Sequence, residues 1–212
     1  VAATRPTVTA KPVTANPVTA NPVTAKPAVA KEAAAKPVAA KPIAAKPTAP
    51  PAEAPRKGAL AEGSKAPAFE LPRDGGGTVS LQSFAGRKLV IFFYPRASTP
   101  GCTKEAIEFT RLVDDFAAAG TGVLGISADS PKAQDSFRDK YQLTTPLLSD
   151  EPHQVLEAYG VWGEKSMYGK VFQGVLRTTV LIGADGRVAK IWRNVKVDGH
   201  ADAVLAAARE LE

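Results

Sequence analysis

Residues 88–105 read KLVIFFYPRASTPGCTKE, and they set the character of the whole chain. Leu89–Tyr94 is an unbroken apolar run of six residues, and no apolar run in the chain is longer; it suits a buried strand and is far short of the roughly 20 residues that span a bilayer. Pro95 ends it. A loop containing Pro100 and Gly101 follows, and Cys102 stands where the next apolar periodicity begins: Ala106, Phe109, Val113 and Phe116 recur at three or four up to Gly120, which predicts a helix over 102–119. A cysteine at a helix N-terminus meets unpaired N–H groups and the positive end of the helix dipole. Thiols so placed fall from about 8.5 into the range of roughly 3.5–7.5, and the thiolate is the nucleophile. Thr99 adds a hydroxyl that can donate to a thiolate. Pro95 closes the loop from behind.

Beyond this stretch, strand and helix signals alternate. Gly122–Ala128 predicts a strand and Pro131–Tyr141 a helix opened by proline. Pro146–Leu148 predicts a short strand and Glu151–Tyr159 a short helix. Thr178–Ile182 and Val188–Trp192 flank Gly183-Ala184-Asp185-Gly186 as a hairpin, and His200–Leu211 predicts an Ala-rich terminal helix. This order predicts an α/β domain over 58–212 with a central mixed sheet covered by helices on both faces. Several α/β folds share that plan, the thioredoxin-like fold among them.

Residues 1–57 are different in kind. From Lys11 to Pro50 the chain repeats every five residues (KPVTA, NPVTA, KPVAA, KPIAA and variants), a period matching neither helix nor strand. Proline in seven of the eight units removes backbone donors. No aromatic residue precedes Phe69, so the segment has little with which to build a core. It is expected to be a disordered Pro/Ala/Lys-rich tail of polyproline character. It also explains the chain's net charge of +6, because it holds nine Lys/Arg against two Asp/Glu; residues 58–212 carry 18 basic and 19 acidic groups. The apparent nucleic-acid signature therefore belongs to the tail. Lysines five residues apart in an extended chain are about 15 Å apart, against one charge per roughly 1.7 Å of duplex DNA. That spacing favours a solvated spacer over weak, salt-sensitive contact with DNA or an anionic surface.

One cysteine and two histidines allow no intrachain disulfide and no four-ligand zinc site, so neither metal nor cofactor is expected. With no spanning segment and no apolar secretory core at the start of the sequence, a cytosolic location is expected. His153 and His200 read as surface residues. Trp162, Trp192 and the Phe92–Phe93 pair read as core or pocket wall.

The loop and its flanks resemble the peroxiredoxins, in particular the bacterioferritin comigratory protein (PrxQ) class. The resemblance rests on GSKAPAFELP at 63–72, FYPRASTPGCTKE at 93–105 and RTTVLIGADG at 177–186. It implies a thioredoxin-like fold and a thiol peroxidase acting on hydrogen peroxide and organic hydroperoxides. Cys102 would be the peroxidatic nucleophile, Thr99 would orient peroxide and thiolate, and Pro95 would shield the pocket. Arg177 would stabilise the thiolate and the developing charge, held in place by Glu105, with Arg96 as a competing cation. A monomer or weak dimer is expected. Many members of the class carry a resolving cysteine five residues after the first; here that position is Ile107. A sulfenic acid on Cys102 would then need an external thiol, from thioredoxin or a glutathione/glutaredoxin system. The rival readings are a redox sensor or adaptor that passes oxidation from Cys102 to a partner, and a nucleoid-binding protein driven by the tail. A disulfide reductase is disfavoured for want of a second cysteine.

Overall fold

The computed structural model describes residues 60–167 and 170–211; the expected tail lies outside them. Strand β3 (Lys88–Phe93) is the spine of the molecule. It pairs in parallel with β4 (Thr121–Ser127), which pairs in parallel with β5 (Leu147–Ser149). On its other edge β3 runs antiparallel to β8 (Thr178–Ile182), which runs antiparallel to β9 (Val188–Arg193). The central sheet is thus mixed and five-stranded, in the order β5-β4-β3-β8-β9.

The alternation along β3 distributes its side chains to two cores. Leu89, Ile91 and Phe93 face a cluster completed by Leu71, Val155, Leu156 and Val180. Val90, Phe92 and the following Tyr94 face Phe109, Phe116, Phe137, Val204, Leu205 and Cys102. The first face is covered by α4 (Gln154–Ala158) and a hairpin of β1 (Glu70–Pro72) with β2 (Thr78–Ser80). Helices α1 (Pro100–Arg111), α2 (Val113–Ala118), α3 (Pro131–Tyr141) and α5 (His200–Glu210) supply the second. Both faces are buried, which is why β3 carries an unbroken apolar run rather than alternating polarity. This is the thioredoxin-like plan of a central mixed sheet between helices.

The structure corrects three expectations. The helix expected over 102–119 begins at Pro100, which needs no N–H in the first turn, and breaks at Leu112. There the N–H bonds back to the Phe109 carbonyl at 3.3 Å in a tightened turn. Phe109 and Phe116 remain in contact across the break, with ring centroids 6.0 Å apart. Second, β1–β2 and a further hairpin, β6 (Trp162–Met167) with β7 (Lys170–Val175), have no counterpart in the sequence reading. Their residues mix charged, glycine and apolar positions without a sustained period. Third, His200 is buried, not a surface residue. Gly199 adopts a left-handed φ of 69° just before α5, and His200 Nε2 lies 2.8 Å from Thr179 Oγ1 on β8. His153 is partly exposed and stacks on Trp162 at 3.7 Å.

Candidate active site

Strand β3 delivers the chain to the end of the sheet, and the loop 95–99 turns it into α1. Cys102 is the third residue of that helix and is 1% exposed. The N-cap is Thr99 in an extended conformation, but its hydroxyl does not cap the helix. It donates to the Arg96 carbonyl at 2.9 Å. The helix has no side-chain cap, which leaves N–H groups of its first turn without an intrahelical partner.

Arg177 arrives from the opposite side, on the short link between β7 and β8. Its Nη2 donates to Cys102 Sγ at 3.2 Å, and its Nη1 pairs with Glu105 Oε2, one turn along α1. Gly101 makes this approach possible. A Cβ there would lie 3.2 Å from Arg177 Nη2, so the missing side chain leaves room for the guanidinium over the first turn. Burial works against the charge of Arg177, but Glu105 and Cys102 outweigh it and hold the group cationic. Glu105 is 1% exposed, and its second oxygen, Oε1, is buried with no partner among the described residues. Burial therefore pushes its carboxyl up to about 7, against the pull of Arg177.

The structure brings Cys102, Arg177 and Glu105 into direct contact. Pro95 sits partly buried at the end of β3, and Thr99 stands at the N-cap with its hydroxyl turned to the loop rather than to the sulfur. Arg96 is exposed; the guanidinium on the sulfur belongs to Arg177. Ile107, five residues after Cys102, is exposed on α1.

Two titratable neighbours, Lys165 and His200, have no place at the site from the sequence. Lys165 on β6 is partly buried, and burial and Arg177 lower its pKa while Cys102 opposes them. Its Cδ lies 3.4 Å from the position a Cβ on Gly174 would take, so the glycine opens the path of the lysine stem. His200 is pushed down to about 4 by burial and then by the charge of Arg177. Neither carried a sequence signal, because each reaches the site through pairing or packing of segments distant in sequence.

The AhpC/TSA family profile matches residues 63–191. Peroxiredoxin Bcp of Escherichia coli is 44% identical over 146 residues, covering 69% of this chain and 94% of that protein. Among solved structures, the Xanthomonas campestris bacterioferritin comigratory protein, described for its alkyl peroxide reduction activity, superposes with a TM-score of 0.66 at 43% identity, over 71% of this chain and 98% of its own. Peroxidoxin BcpB of Mycobacterium tuberculosis matches with a TM-score of 0.64 at 35% identity, over 72% and 99%. With the fold, the TPGC loop and these relatives in agreement, the chain belongs to the AhpC/TSA family, among its Bcp/PrxQ peroxiredoxins, as a member with one cysteine.

Proposed function

We propose that the protein is a one-cysteine thiol peroxidase that reduces hydrogen peroxide and organic hydroperoxides. The observation that carries this reading is the guanidinium of Arg177, 3.2 Å from Cys102 Sγ and backed by the buried Glu105. In the reaction the Cys102 thiolate attacks the terminal peroxide oxygen and the O–O bond breaks. The departing oxygen takes a proton and leaves as water or an alcohol, and Cys102 becomes a sulfenic acid. Negative charge moves from sulfur to the leaving oxygen, past the donors already aimed at that region: Arg177 and the first-turn N–H groups of α1. Thr99 orients the peroxide and thiolate once its hydroxyl leaves Arg96, and Pro95 limits access by water. The relative active on alkyl peroxides supports inclusion of organic hydroperoxides among the substrates.

The cycle closes through another molecule's thiol, because the chain has no second cysteine. A thiol attacks the sulfenic sulfur and displaces water to form a mixed disulfide. A second thiol releases Cys102 and leaves the reductant as a disulfide. Thioredoxin and the glutathione/glutaredoxin system are the candidates. The test is peroxide consumption by the wild type and C102S, with each reductant supplied separately. Sustained turnover with one of them, lost in C102S, is expected. Activity retained by C102S would overturn the reading. A single stoichiometric oxidation without turnover under either reductant would favour a peroxide sensor that hands oxidation to a partner.

A further inference from the structure

We infer that Asp129, just beyond β4, is a positioning residue that holds the 95–99 loop in its working shape over Cys102; this rests on the peroxidase reading. Among the described residues, residues 95–99 make few hydrogen bonds. Thr99 binds within the loop to Arg96, and the Thr99 carbonyl accepts the first bond of α1 from the Thr103 N–H at 2.8 Å. The hydrogen bond that ties the loop to another element is Ala97 N–H to Asp129 Oδ2, at 2.7 Å.

The loop needs such a tie. Ser98 has a φ of 59°, the left-handed region that a residue with a side chain seldom occupies. Such conformations persist where the surroundings over-determine them. Here the neighbour of Ser98 that stays pinned when the Thr99 hydroxyl leaves the Arg96 carbonyl is Ala97, held outward to Asp129.

Asp129 is itself held by a chain of buried polar groups that donate in one direction. The Tyr94 hydroxyl donates to Gln134 Oε1 at 2.5 Å, and Gln134 Nε2 donates to Ser127 Oγ at 2.8 Å. The Ser127 hydroxyl donates to Asp129 Oδ2 at 2.8 Å. Tyr94, Gln134 and Ser127 are all buried. Burial above all pushes the Tyr94 phenol far up, which keeps it a donor. The chain begins at Tyr94, the residue immediately before Pro95, and ends at Ala97. Three peptide steps in one direction and four hydrogen bonds in the other close a ring around the start of the loop. The backbone of Asp129 is fixed as well, its carbonyl accepting from the Ser149 hydroxyl at 2.5 Å and its N–H bonding to Ser127 Oγ at 3.2 Å. One carboxylate oxygen thus accepts from a β-strand serine and from the active loop, with no atom touching the sulfur.

The consequence is specific to peroxide geometry. Displacing a reacting or orienting group by about 1 Å can cost on the order of 100-fold in rate. The thiolate itself is supported by Arg177 and the helix terminus, which Asp129 does not touch. D129A should slow oxidation of Cys102 by hydrogen peroxide by about 10- to 100-fold, while the rate of Cys102 alkylation by iodoacetamide changes by less than about twofold. D129N, whose amide oxygen can accept the same two bonds, should recover most of the rate. Stopped-flow oxidation, alkylation and thermal unfolding are measured on the full chain. An unchanged peroxide rate in a folded D129A, or equal losses in oxidation and alkylation, would overturn the inference. If D129A does not fold, S127A decides. It leaves Ala97 its acceptor but removes the support behind it, and should slow peroxide oxidation by about threefold or more; an unchanged rate would overturn the inference. Absence of peroxide reactivity in the wild type would instead reject the peroxidase reading.

Discussion

Two buried acid–base groups that feel the charge of Arg177 should give the protein opposing pH responses, and separating them tests the electrostatics of the site. His200 has a folded pKa of about 4 against an ordinary 6.5. Between those values the unfolded chain binds a proton that the folded one refuses, so this residue removes stability as pH falls from about 6.5 toward 4. Glu105 is the reverse. Its folded pKa of about 7 exceeds the ordinary 4.5, so the folded state binds the extra proton and stability is lost as pH rises through about 7. Each full shift corresponds to about 3 kcal/mol. Integrated from pH 8 to pH 5, His200 costs about 2 kcal/mol and Glu105 returns about 2–3 kcal/mol. In the wild type the two nearly cancel. H200Q should therefore gain about 2 kcal/mol relative to the wild type on acidification from pH 8 to 5, and E105Q should lose a similar amount. The assay is urea unfolding at both pH values. At a slope of roughly 2 kcal/mol/M for a domain of this size, each change moves the midpoint by about 1 M. The chain has two histidines, so NMR titration of wild type and H200Q identifies the His200 signal directly. The reasoning fails if H200Q tracks the wild type within about 0.5 kcal/mol over this range, or if His200 titrates near 6.5.

Other perturbations address the site and the core separately. R177Q removes the donor at 3.2 Å from Cys102 Sγ and leaves Glu105 buried without its partner; the second-order rate with hydrogen peroxide should fall by about 100-fold or more. K165Q removes a second, more distant cation. Cys102 alkylation should slow by about two- to fivefold at low salt, with a smaller difference at high ionic strength, since intervening solvent screens a partly exposed charge. G125A would place a Cβ 2.7 Å from Phe92 Cζ and 2.9 Å from Leu147 Cδ2 on the sheet face beneath α1. Overpacking there should cost about 1–3 kcal/mol, read as a lower unfolding midpoint, and should disturb the Phe92–Phe109 stack at 4.6 Å.

Local sequence determined a good deal of this protein by itself. A six-residue apolar strand, a proline stop and a cysteine at a helix start are encoded by neighbouring residues, because strand burial and helix initiation depend on patterns a few residues long. The place of Cys102 at the start of α1 was legible for that reason, as were α3, β8 and β9. The absence of a second cysteine is a fact of composition. Arg177 and Glu105 were legible only through family resemblance, since 72 positions separate them and no spacing rule joins them. Tertiary structure alone decided which cation reaches the sulfur: Arg177 comes from the link just before β8, which pairs with β3, into the space left by Gly101, while Arg96, six residues from the cysteine, turns to solvent. It also decided that His200 is buried, that Lys165 faces the site, and that Asp129 holds the loop. These placements follow from strand order and packing of the β5-β4-β3-β8-β9 sheet. Long-range pairing, rather than any local preference, brings those residues to the cysteine that local sequence had already put in place.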